Sequence, residues 1–338
     1  MVSIKDIAKK CGVSVATVSK ALNNQSDIAS ATKTKILKMA EDMDYMANLS
    51  ARALRTNRTY NIGILFTNKV QGLAHEYFSS VLESFKSEAE DHGYDITFIN
   101  DVIAGKKVTY KKHCEYRNFD GVAIILADFE CKETKELASS EIPVVTIDHV
   151  YDNCTSVISN NISGMSELVE YAIKMGHKKI AYIHGEDTAV TNDRLTGFYA
   201  TMRKYKLDVR DEYIKESMYH EPVMTNQKVK ELLNLKNPPT CIILPDDYSS
   251  IIMAQTIKDS KKNISYIGYD GIEISKVMNI TTYEQNKAAL GKAAARKLIE
   301  RIENPNCEVE HIIVKGRVVE GNTVKKIGDL NKHGVFEG

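Results

Sequence analysis

Several apolar runs of the chain end on side chains able to grip a hydroxyl group. Asp148 follows "PVVTI", Asp246 follows "CIILP", Asp270 follows "ISYIGY" and Gln285 follows "ITTYE". Ligands of open α/β sheets sit outside the carboxyl ends of the strands, so these are positions where a small molecule would be met. Arg194, near the start of "NDRLTGF", offers a planar fork of donors, and Tyr77 and Phe78 in "HEYF" offer rings for stacking. Acid and amide groups, a bidentate arginine and aromatic faces together suit a small polyol. A plainer reading stands beside each. An aspartate after a strand is often only the cap of the next helix, which could be all of Asp246. Phe78 could be core, and Arg194 could be a structural ion pair.

Other chemistries find less support. The six cysteines stand singly, and no Cys/His cluster has metal-ligand spacing, so neither a metal nor a cofactor is expected. His149, His177, His184 and His220 show no such spacing either; His149, beside Asp148, is a cleft residue or an incidental loop residue. No GxGxxG or GxxxxGK(S/T) loop follows the first body strand, and no nucleophile stands at useful spacing from a base, so an enzyme is not expected.

A second kind of chemistry is offered by "SVATVSKALN", from Ser14 to Asn23. Ahead of it, Ser3 and Asp6 fit a capping box, and Ile4, Ile7, Ala8 and Cys11 fall on one helical face ended by Gly12. Ser14 can cap a second helix, with Val18, Ala21 and Leu22 facing inward and Val15, Ala16, Ser19 and Lys20 facing out. A third helix opens at Ser30 and carries Ile36, Leu37, Ala40 and Met43. Two short helices about a Gly-containing turn, completed by a third, make a helix-turn-helix unit. Small outward side chains let the second helix lie close to base edges in a major groove, and Lys20 adds a charged donor. By periodicity alone, the segment could equally be a three-helix cap that binds nothing.

The next stretch, 46–58, carries Arg52, Arg55 and Arg58 among helix formers, with too little apolar surface for a core. Alone it would be marginal as a helix in water. It reads as a segment that folds against a partner, with Leu54 an apolar wedge on a basic helix, or as a flexible linker with an incidental leucine.

Charge separates the two regions. The 338 residues hold 45 basic and 45 acidic side chains, yet residues 1–60 hold ten Lys/Arg against five Asp/Glu and the remainder 35 against 40. A basic head on an acidic body suits a polyanion met by the head. The length suits two or three domains. No run of eighteen apolar residues exists, so no membrane span is expected. Charges in "MVSIKDIAKK" stand where a signal peptide needs an apolar stretch, so a cytoplasmic protein with free thiols is expected.

The elements that must hold the strand-end residues are legible from residue 60 onward. Short apolar runs alternate with helical stretches, which argues for parallel sheets covered by helices. Two such series, before and after "TSVISN", argue for two similar subdomains with a cleft between them.

"SIKDIAKKCGVSVATVSKALN", followed by "YMANLSARALRTNRTYNIGIL", resembles the N-terminal signature of the lactose-repressor/galactose-repressor family of bacterial transcription factors. Helix-turn-helix, third helix, hinge and first body strand come in order, and the likeness extends more loosely along nearly the whole chain. It implies an α/β protein with an all-α helix-turn-helix head over 1–58, including a hinge helix at 48–56. A type I periplasmic-binding-protein-like body of two doubly wound subdomains follows over 60–338. The N-subdomain would take about 60–159 and 286–316, and the C-subdomain about 160–285 and 317–338, with crossings near Asn160, Gln285 and Gly316.

The resemblance also implies roles. Val15, Ala16 and Lys20 match base-reading positions, Lys20 standing where Arg is commoner. Ser14, Thr17, Ser19 and Asn23 match positions near bases or on phosphates. Leu54 matches the residue that levers open the central base step of the operator, with Arg55 expected on phosphate. Arg194, Asp270, Asp148 and Gln285 match effector-pocket positions. Asp246, in "PDD", replaces a frequent Asn, and His75, in "HEYF", stands where many sugar-binding members carry Asn. Tyr219 is a candidate stacking aromatic of the second subdomain.

The function expected is a DNA-binding regulator, a repressor acting as a homodimer on a pseudo-palindromic operator. A small ligand in the cleft, a sugar or sugar derivative, would control it. The alternatives are a regulator of the same family controlled mainly by a partner protein, a sugar-binding protein without DNA function, and a nucleotide-dependent enzyme. The basic head opposes the second, and the missing glycine loop opposes the third.

Overall fold

The structure, a computed structural model, describes residues 2–22, 25, 27–45, 58–67 and 72–327. The chain divides into two units, Met1–Tyr60 and Asn61–Gly338.

The first unit contains α1 (Ile4–Cys11), α2 (Val15–Leu22) and α3 (Ser30–Asp42). Ser3 and Asp6 satisfy each other's backbone N–H groups, which gives two donors at the start of α1 a partner. Gly12 takes a left-handed φ of 69°, which ends α1 in a tight turn. Ser14 Oγ then accepts the Thr17 N–H at 3.0 Å and starts α2. Ile7, Ala8, Cys11, Val18, Ala21, Ile36 and Ala40 close a small core. Leu37, expected inward, is 44% exposed. The buried stripe of α3 runs through Ile36 and Ala40 with Met39 and Met43 beside them, and a step of about 100° per residue leaves Leu37 on its outer flank.

The second unit holds two lobes. The first is built from β1 (Asn61–Phe66), α4 (Glu76–Asp91), β2 (Asp95–Phe98), the hairpin β3 (Val102–Ile103) and β4 (Lys106–Lys107), α5 (Tyr110–Arg117), β5 (Gly121–Leu126), α6 (Lys132–Ala138), β6 (Val144–Ile147) and β7 (Thr155–Ser159). The second is built from α7 (Asn161–Lys174), β8 (Ile180–His184), α8 (Ala189–Lys204), β9 (Ile214–Glu216), α9 (Pro222–Leu233), β10 (Cys241–Ile243), α10 (Asp247–Ser260), β11 (Ser265–Asp270), α11 (Glu273–Val277) and β12 (Thr282–Glu284). The chain then returns through α12 (Lys287–Glu303) and β13 (His311–Val314) to the first sheet, and β14 (Arg317–Val319) joins the second.

Each sheet has six strands, in the orders β13-β7-β6-β5-β1-β2 and β14-β12-β11-β10-β8-β9. Within these two sheets all pairings are parallel except β12 with β14, and the separate hairpin β3–β4 is antiparallel. Strands covered on both faces need apolar residues throughout, and "GVAIIL" of β5 and "SYIGYD" of β11 are buried nearly end to end. Both sheets are doubly wound, with the chain order reversing beside β1 and beside β8. β9, β14 and α11 are absent from the sequence reading. Each spans five residues or fewer, too short for a period to show.

Candidate functional site

On the head, the outer face of α2 is small and polar. Val15, Ala16 and Lys20 are exposed, while Thr17 and Ser19 are half-buried. Ser14 Oγ also meets Thr17 Oγ1 at 2.8 Å, so its hydroxyl serves the cap. Lys20 Nζ is paired with Asp27, and that hydrogen bond holds the Asp27 carboxyl below its ordinary range. The one cation on α2 must therefore leave Asp27 before it can reach a base. Lys20→Ala is expected to weaken specific DNA binding by about 1–3 kcal/mol and to relax preference at one position per half-site. Competition among operator variants measures it, and uniform loss on every variant would show that Lys20 reads no base. Asn23, Leu54, Arg55 and the hinge segment 48–56 lie outside the described residues.

In the body, a cleft of about 190 Å³ opens between the carboxyl ends of the two sheets. Pockets for drug-sized ligands run about 300–1,000 Å³, so this one suits a smaller molecule. Its first-lobe side is mainly apolar and aromatic, with Phe78, Ile125, Phe129 and Ile147. Its second-lobe side is polar, with Glu186, Thr188, Arg194 and Asp270.

A chain of hydrogen bonds crosses this cleft. Tyr77 donates to Asp148 Oδ2 at 2.5 Å and reaches Gln285 Oε1 at 3.5 Å. Gln285 Nε2 donates to Asp270 Oδ1 at 2.7 Å. Arg194 Nη2 stands 3.9 Å from that same oxygen. The arginine is held in place by Asn161 Oδ1 and the Pro245 carbonyl, each at 3.0 Å, and its guanidinium lies 3.5 Å from the centre of the Tyr269 ring. Tyr77 and Asp148 belong to the first lobe, Arg194 and Asp270 to the second, and Gln285 to a crossing between them.

Backbone strain and charge gather in the same place. Asp148, His220 and Asp270 have φ of 56°, 61° and 111°, in the left-handed half of the map that side chains with a Cβ seldom adopt. Strain of this kind persists where the surroundings over-determine it, often at binding sites. Burial raises the pKa of Asp148, opposed by its bonds from Tyr77 and the Ser159 N–H. Burial also pushes Asp270 well above the usual carboxylate range, with Arg194 opposing. Burial works against the Arg194 charge too, but Tyr219, Tyr269 and Asp270 around it hold its pKa above the ordinary arginine value.

Of the residues expected to touch a ligand, Tyr77, Phe78, Asp148, Arg194, Tyr219, Asp270 and Gln285 line the cleft. His75 and Asp246 do not line it. Asp246 is fully buried and caps α10, accepting the Ser249 N–H at 2.8 Å with one oxygen and the His220 N–H at 2.7 Å with the other. His75 is fully buried against His220. The cap reading of an aspartate after a strand is what the structure gives for Asp246.

Phe129, Glu186, Thr188 and His220 also line the cleft and were not singled out for it by sequence. Phe129 stacks flat on His149, ring centres 4.3 Å apart and 11° between planes, and builds the first-lobe wall. Glu186 accepts the Tyr219 N–H at 2.9 Å, and Thr191 Oγ1 meets the Tyr219 hydroxyl at 2.9 Å. Gly185 makes room for that ring, since a Cβ there would fall 2.3 Å from Tyr219 Cε2. Phe129 and Glu186 sit in loops just past β5 and β8. The strand-end rule points there, but a loop of several residues does not say which one turns inward.

Two doubly wound lobes about a polar cleft, carried with a helix-turn-helix head of small outer face, define the class of ligand-responsive DNA-binding regulators. Residues 3–48 match the bacterial regulatory proteins of the lacI family, and residues 169–324 match the periplasmic binding protein-like domain. The chain thus carries a lacI-family helix-turn-helix domain and a periplasmic binding protein-like domain, and it is a DNA-binding transcriptional regulator with a ligand-binding body. It is 29% identical over 339 residues to the Probable HTH-type transcriptional repressor ExuR of Bacillus subtilis, covering 97% of this chain and 99% of that one. It is 29% identical over 340 residues to the HTH-type transcriptional repressor PurR of Mannheimia succiniciproducens, covering 97% and 100%. A crystal structure of the lac repressor dimer bound to operator and the anti-inducer ONPF shares the fold. It superposes with a TM-score of 0.76 at 21% identity, covering 96% of this chain and 99% of that one. No helix among the described residues is long and apolar enough to cross a membrane.

Proposed function

We propose that this regulator is a cytoplasmic repressor, not an enzyme, that binds a pseudo-palindromic operator as a homodimer and takes an uncharged sugar or similar polyol as its effector. The observation that carries the effector class is the hydrogen-bonded chain Asp148–Tyr77–Gln285–Asp270, with Arg194 ion-paired at its end, facing an aromatic wall. Acids and an amide can trade their mutual bonds for bonds to hydroxyls, and the wall can cover an apolar sugar face. Charge narrows the class. Asp148, Glu186 and Asp270 line the cleft against one cation, Arg194, which donates to Asn161 and the Pro245 carbonyl and pairs with Asp270 at 3.9 Å. An anionic ligand would face three carboxyl groups and a single cation. Exposed Val223 and Met224 near the start of α9, with Ile274, Val277 and Met278 about α11, supply apolar surface for self-association.

A thermal-shift screen of neutral sugars, uronates, sugar phosphates and purines against the full chain tests the effector class. A true effector at 100 times its Kd should stabilise by about 2.7 kcal/mol. The proposal expects this from a neutral sugar. Stabilisation by anionic compounds alone would contradict it.

A further inference from the structure

The two lobes also meet through a pair of histidines that takes no part in the polar chain across the cleft. His75 precedes α4 in the first lobe and is completely buried. Its Nε2 stands 2.5 Å from Nδ1 of His220, which precedes α9 in the second lobe and has one side on the cleft. The ring centres are 3.7 Å apart. A neutral imidazole has one N–H and one lone pair, so two neutral rings can make this contact and two cationic rings cannot. His75 Nδ1 is buried without a partner, which favours the tautomer in which His75 Nε2 donates and His220 Nδ1 accepts.

We propose that the His75–His220 pair is a pH-sensitive latch that holds the lobes together while its rings are neutral and releases them when they take up protons. The groups around it set the balance. Asp246 Oδ2 lies 3.7 Å from His220 Nδ1 and favours a proton there, and Arg194 opposes it. Phe78 and Tyr248 pack on both rings, and Tyr219 stands next to His220. Glu76, beside His75, donates its N–H to the Tyr248 hydroxyl at 3.4 Å and accepts the Glu273 N–H at 2.7 Å, a neighbouring tie between the lobes.

Burial, with His220 beside it, lowers His75 to about 3, although Asp246 raises it. Burial and Arg194 lower His220 to about 4. With the lobes apart, each ring returns toward the ordinary value of about 6.5. The closed body therefore binds fewer protons than the open one. Closure is fully supported above about pH 6.5 and weakens as pH falls toward 4, by about tenfold per pH unit for each ring protonated on opening. The latch needs no effector and does not depend on which ligand fills the cleft.

Amide hydrogen exchange of the full chain at pH 7.5 and pH 5.0, corrected for the intrinsic rate, tests it. In the wild type, protection of the segments 74–80 and 217–223 should fall at least about tenfold at the lower pH, while the core strand 241–243 keeps its protection. In His75→Phe, which keeps a ring but removes one of the two titrating groups, this step should shrink to the part that His220 carries alone. The same step in His75→Phe, or no step in the wild type, would overturn the proposal. A second measurement needs no substitution: ring nitrogen shifts of the wild-type histidines should show His75 and His220 neutral at pH 6. Independent titration of both near pH 6.5 would overturn it equally.

Discussion

Arg194→Ala is expected to give a protein that binds its operator as the wild type does and no longer answers to its effector. The guanidinium is the one cation lining that cleft among the described residues, and it is preset by Asn161, the Pro245 carbonyl and the Tyr269 ring. A hydrogen bond from a charged donor contributes about 1.5–3 kcal/mol, so effector affinity should fall about 10–150-fold. The change also leaves buried acceptors and Asp270 without their cation, and breaking a buried pair costs about 3–5 kcal/mol of stability. Melting of the variant must therefore be recorded first. Arg194→Lys keeps the charge and loses the planar fork, so it should fold better and still respond poorly. Titration of operator release with the effector separates these cases, and full response in either folded variant would remove Arg194 from the site.

The second large effect is expected at the hinge segment, which the sequence marks and the described residues do not reach. Leu54→Ala should lower operator affinity while leaving dimerisation and effector binding intact. Unstacking a base step costs a few kcal/mol, and wedge insertion with the resulting bend must offset it. Lys20 is the only charge on α2, so the head has little grip to spare when the wedge is lost. Leu54→Gly should do more, since glycine in a helix costs about 1 kcal/mol relative to alanine. Arg55→Ala should instead flatten the salt dependence by about 0.9 in slope for each protomer, about 1.8 for the dimer, as one phosphate contact is lost in each half-site. Circular dichroism should show helix gained on adding operator to the wild type and less in the Leu54 variants. Unchanged operator affinity in Leu54→Ala would sink this mechanism.

The parts of the molecule that local chemistry dictates were readable in advance. Ser3, Asp6, Gly12 and Ser14 each do one local job, starting or stopping a helix, and a run such as "GVAIIL" can be little other than a strand covered on both faces. The strand-end rule was less sharp. It found Asp148, Asp270 and Gln285, which line the cleft, together with Asp246, which spends both carboxylate oxygens on backbone N–H groups. Nothing in the spacing of "CIILPDD" tells those two fates apart, because the difference lies in His220, a residue 26 positions away. His75 is the same lesson from the other lobe. Its partner is 145 residues distant, and only the packing of the lobes brings the rings together. Phe129 and Glu186 stayed hidden because loop geometry, not period, turns them inward.

The claim that joins head and body is that this protein reads a two-fold DNA site. Selection from random duplex DNA by the full chain tests it most directly. Two heads related by a dimer axis should enrich a pseudo-palindrome of roughly one and a half to two turns, with a flexible pyrimidine–purine step at its centre where Leu54 enters. Recovery of a single asymmetric half-site, or of no shared sequence at all, would contradict the account.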